Sequence, residues 1–100
     1  MAKSHSSARD LAHWLRDALR HHKAGKLEKA RALYERVLRA DPESAPALHG
    51  LGVLEQSEGN LARGVGLLRA AIVKLPSAAY YNNLANALRA IGVPKAAEDA

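Results

Sequence analysis

Residues 45–77 read APALHGLGVLEQSEGNLARGVGLLRAAIVKLPS, and this stretch decides the fold. Within it, Leu61, Gly64, Val65, Leu68, Ala71, Ile72 and Leu75 keep the i, i+3, i+4, i+7 spacing that lays one apolar stripe along a helix. Gly59 stands just before that stripe, where a preceding helix would stop, because glycine enters the left-handed conformation without a Cβ clash. Ser44 and Asn60 sit where the two helices would begin, as residue types that cap free N–H groups, and Pro76 follows the second helix. The stretch therefore reads as two helices joined by a tight turn.

Superposing the chain on itself extends this unit in both directions. Trp14, Leu48 and Tyr81 fall in register at spacings of 34 and then 33, as do Ala18, Gly52 and Ala85, and Gly25, Gly59 and Gly92; Pro42 answers Pro76. In each unit a second small residue follows twelve positions later, pairing Ala18 with Ala30, Gly52 with Gly64 and Ala85 with Ala97. Antiparallel helices on a short turn approach closely only where side chains at the crossing are minimal, which gives those pairs a cause. The periodicity predicts helices over 8–23, 27–40, 45–58, 61–74 and 78–91, with a fragment from Pro94 onward. Ser7 with Asp10, and Ser77, are further expected N-caps. Gly50 and Gly66 also lie inside helices, at about 1 kcal/mol each relative to alanine. Spacing assigns them no packing role, and close approach of a ligand to the backbone is one use for Gly50.

This pattern resembles the tetratricopeptide repeat family, a 34-residue helix-turn-helix unit. Its first unit, 11–44, supplies Trp14, Ala18, Gly25, Ala30, Tyr34, Val37 and Pro42. The second, 45–77, supplies Leu48, Leu51, Gly52, Gly59, Gly64, Leu68, Ala71 and Pro76. A third begins at Ala78 with Tyr81, Leu84, Ala85, Gly92 and Ala97 and breaks off inside its second helix. The resemblance implies an all-α, right-handed solenoid of αα-hairpins over 8–100, about two and a half to three repeats, behind a disordered tail over 1–7. Asp17 and His21 stand where the family usually buries apolar groups, as suits a first repeat with no predecessor, whereas Ala100 falls about mid-helix. The expectation is the opening part of a longer, bacterial protein, or two chains covering each other's unfinished edge.

Composition narrows the chemistry. With no cysteine, disulfides, cysteine-bound zinc and thiol catalysis are excluded. Charged residues interrupt every apolar stretch, and no apolar segment follows Met1–Ser7, so a cytoplasmic location is expected. Residues 1–44 carry ten Lys/Arg and six Asp/Glu, residues 45–100 five and four; these charges interleave rather than run together, which reads as a solvated surface and makes nucleic acid an unfavoured partner. Five histidines give no metal expectation, because His21 and His22 are adjacent, His13 lies eight residues before His21, and no acidic cluster completes a set. No serine sits on a glycine-rich elbow, and neither catalytic residues nor a cofactor are expected.

What remains is binding. The resemblance places the first helix of each hairpin along a concave groove, with Leu15, Leu19, His22 and Lys23 from repeat one, His49, Val53, Gln56 and Ser57 from repeat two, and Asn82, Asn83, Asn86 and Arg89 from repeat three. Amide and imidazole groups can hydrogen-bond a peptide backbone. The site expected to bind is therefore His22, Lys23, His49, Gln56, Asn82, Asn83, Asn86 and Arg89. Basic residues that clamp a C-terminal carboxylate in some relatives are missing, since Leu15, Leu19 and Gly50 occupy those positions; of a ladder of asparagines found in others, only Asn83 is present beside Arg16 and Gly50. Trp14 and Tyr34 are expected to pack and Tyr80 to be the exposed aromatic. The leading function is a non-catalytic scaffold binding a partner protein or peptide. The alternatives are recognition repeats of a larger glycosyltransferase or sulfotransferase, RNA binding, or self-association through the incomplete third repeat.

Overall fold

The structure, a computed structural model, describes residues 7–92. The expected fragment from Pro94, with Ala97, lies outside them. The described chain is all helix and loop: α1 (Ala8–Lys23), α2 (Leu27–Ala40), α3 (Ala45–Ser57), α4 (Leu61–Lys74) and α5 (Ala78–Ile91). These bounds meet the sequence expectation except that α3 stops at Ser57, with Glu58 as its cap.

Both hairpin turns close in the same way. Gly25 and Gly59 hold φ of 80° and 90°. Around them Gly25 N–H donates to the His22 carbonyl and Lys26 N–H to His21, while Gly59 N–H donates to Gln56 and Asn60 N–H to Glu55. This paired bonding satisfies carbonyls that the helix end would leave bare. At the helix starts, Ser7 forms a reciprocal capping box with Asp10, and the Ser44 hydroxyl accepts from Ala47 N–H. The other two expected caps are corrected: neither Asn60 nor Ser77 makes a side-chain cap bond. The Asn60 amide nitrogen instead donates to the Glu55 carboxylate at 2.7 Å, a charge-assisted bond that holds the side chain toward α3.

The hairpins stack in chain order, as in a helical-repeat solenoid. Each helix packs on the next, α1 also meets α3, and α3 meets α5, whereas α2 and α4 have no Cα pair within 8 Å. First helices thus lie closer together than second helices, and the stack curves toward the α1, α3, α5 side. Central α3 is covered from both directions and buries Leu48, Leu51, Leu54 and both small residues Gly50 and Gly52. The crossings fall at the expected small residues: Ala18 and Ala30 are fully buried, and a Cβ on Gly64 would stand 3.0 Å from the Gly52 carbonyl oxygen.

Two details differ from the sequence reading. Tyr81 is the exposed aromatic, at 53% exposure, while Tyr80 is half-buried against His49. Gly50 does have a packing role, because the Tyr34 ring occupies the space a Cβ would need there. Trp14 and Tyr34 pack as expected, Tyr34 in the core and Trp14 with the Arg36 guanidinium 4.1 Å above its ring centre.

Glu55 is 2% exposed, and its carboxylate joins the two hairpins. Arg31 of α2 donates to both Glu55 and Glu58, and Arg63 of α4 stands 3.5 Å from Glu55. Burial works against the Arg31 charge, but the adjacent Glu55 and Glu58 carboxylates outweigh it and raise the guanidinium pKa.

Candidate functional site

The curvature of the stack creates a groove of about 510 Å³ on the α1, α3, α5 side. Its apolar wall comes from Leu15 and Leu19 of α1, Val53 of α3 and Tyr80 of α5. Helical spacing explains the grouping, since Leu15 and Leu19 lie one turn apart on a single face.

The uncharged polar groups of the groove are held by one another. Tyr34 reaches it from α2, passing the bare Gly50 backbone, and its hydroxyl lies 3.0 Å from His22 Nδ1 with the rings edge to face. His49 stacks on Tyr80 with ring centres 4.2 Å apart and planes 17° from parallel. The Asn83 amide nitrogen lies 2.6 Å from His49 Nε2. An amide nitrogen only donates, so Nε2 is the acceptor and the neutral ring carries its proton on Nδ1. Burial depresses the pKa of both histidines, and for His49 the neighbouring His22 adds to the effect. The floor is therefore neutral near pH 7, an uncharged polar surface between apolar walls.

Of the residues singled out in the sequence, His22, Lys23, His49 and Asn83 line this groove. The other four do not. Gln56 has its backbone nitrogen and Cα against Gly64 at the α3–α4 crossing. Asn82 is exposed outside the groove, and Asn86 accepts a hydrogen bond from Arg89 one turn on. Ser57, also expected there, donates to the Leu54 carbonyl. The groove adds Arg16, Tyr34, Pro46 and Tyr80, which the site expectation omitted. Among the described residues no three His, Cys, Asp or Glu side chains converge as a metal set, and no helix is long and apolar enough to cross a membrane.

A family model described as tetratricopeptide repeat matches residues 21–98. The chain belongs to the tetratricopeptide repeat family. No curated protein matches it. Tetratricopeptide repeats generally mediate protein–protein interaction and are typically non-catalytic, and the groove described above is built from α1, α3 and α5 with Tyr34 of α2.

Proposed function

We propose that the chain is an interaction module that takes a peptide segment of a partner protein into the concave groove. One observation carries this reading: a 510 Å³ apolar groove whose histidine, tyrosine and asparagine groups are already fixed in place by their own hydrogen bonds. Pre-arranged groups lose little freedom on binding, so more of the contact energy reaches affinity. Apolar walls accept a side chain, and the histidine and asparagine groups meet the backbone that such a segment exposes. Asn83 is the asparagine central to binding, since Asn82 and Asn86 lie outside the groove.

Dodecapeptides selected from a random display library on the intact chain, mapped by amide chemical shifts, test the proposal. Shifts centred on Leu15, Leu19, Val53 and Tyr80, together with lost binding in Asn83→Ala but not Asn82→Ala, are expected. Shifts confined to α2 and α4 would overturn it.

A further inference from the structure

Resting on that reading, we infer that the groove selects an acidic segment, with an apolar side chain midway between two carboxylates four residues apart. The first ground is charge. Arg16 and Lys23 both line the groove and are exposed, and among the described residues neither has a carboxylate within 4.0 Å. Among the described residues no Asp or Glu lines the groove.

The acids are instead engaged elsewhere. Asp17 pairs with His13 and Arg20 on another face of α1, and Glu55 and Glu58 are bound to Arg31 at the hairpin junction. Helix α5 contains no carboxylate. An apolar cleft edged by one sign of charge focuses its field on the opposite sign, so a negatively charged occupant is favoured on approach and a basic one is repelled.

Spacing supplies the second ground. Arg16 and Lys23 are seven residues apart on one helix, two turns, which puts them on the same face about 10.5 Å apart along the axis. An extended peptide rises about 3.3 Å per residue and turns alternate side chains to one face, so acids four residues apart face α1 about 13 Å apart, a separation the long Arg16 and Lys23 side chains reach across, with the residue midway between them on the same face. Leu19 lies between the two cations on the same face and is half-exposed, so an apolar side chain between the acids has a surface to cover. Two cations and the leucine between them thus read acid, apolar, acid.

The experiment is selection from the random dodecapeptide library on the intact chain and on an Arg16→Glu/Lys23→Glu variant. Both sites are exposed, so the variant keeps its helical circular dichroism. Wild type is expected to enrich sequences with Asp or Glu four apart around a central large apolar residue, and the variant to enrich Lys or Arg instead. Replacing both acids of a selected peptide by amides should weaken binding roughly two- to thirtyfold, as expected for two exposed ion pairs, and the difference should shrink in high salt. Neutral or basic selected sequences, or acidic ones without that spacing, overturn the inference and leave the groove reading standing. Absence of any groove-dependent enrichment removes both.

Discussion

Tyr34 fills the space beside Gly50: a Cβ on that glycine would stand 2.7 Å from the tyrosine hydroxyl and closer still to its ring. The α2 side chain therefore crosses the α3 backbone at its barest point to reach His22. Gly50→Ala should destabilise the chain by about 1–3 kcal/mol, since the buried Tyr34 ring has to shift. Gly66→Ala, where a Cβ meets nothing, should stabilise it by about 0.5–1 kcal/mol through helix propensity alone. Chemical denaturation of the two variants separates packing from propensity; equal effects would contradict the assignment.

Glu55 gives a second measurement. Arg31→Met leaves a buried carboxylate with only Asn60 and the more distant Arg63, and should cost about 3 kcal/mol, the low end for a broken buried pair. Adding Glu55→Met should recover most of that loss, because no uncompensated buried charge remains and Glu58 is exposed. Losses that simply add in the double variant would mean that the two groups do not depend on each other.

Legibility in the sequence followed the range of the contact. Helix limits and the Gly25 and Gly59 turns depend on neighbours within a few residues, and they were readable. The Ala18–Ala30 crossing lies within one hairpin and was readable through the repeat. The groove polar pairs join residues 12 and 34 positions apart, and their partners depend on how hairpins settle against each other. Asn60 had the composition of a cap but was drawn to Glu55, whose burial no local pattern announced. Tyr80 and Tyr81 are adjacent, and which of them is covered depends on where His49 stands on another helix.

Capping makes a local prediction. Ser7→Ala removes a cap bond of 3.1 Å to Asp10 N–H and should cost about 0.5–2 kcal/mol, whereas Ser77→Ala, with no side-chain cap bond, should change stability by a few tenths at most. Helix unfolding followed by circular dichroism compares them directly; a larger loss for Ser77→Ala would overturn the cap assignment.

The two groove histidines predict the direction of pH dependence. Both have folded-state pKa values below the ordinary 6.5, first through desolvation, and for His49 also through His22. Above about pH 6.5 they are neutral in folded and unfolded chains alike, and their contribution to stability is complete. Below it the unfolded chain takes up protons that the folded chain resists, so stability falls with pH until the folded values are passed. Among the described residues nothing around the rings reverses this sign: Arg16 and Lys23 from α1, Tyr34 from α2, and Tyr80 and Asn83 from α5 include no carboxylate. Protonation would also turn His49 Nε2 into a donor facing the Asn83 amide donor. Asp17, held below its usual pKa by its Arg20 hydrogen bond, changes charge at far lower pH and does not overlap this window. The midpoint temperature should therefore drop between pH 7.5 and pH 5, and His22→Gln/His49→Gln should flatten the drop whatever its own baseline stability. Parallel curves for wild type and the double variant would show that other groups set the dependence.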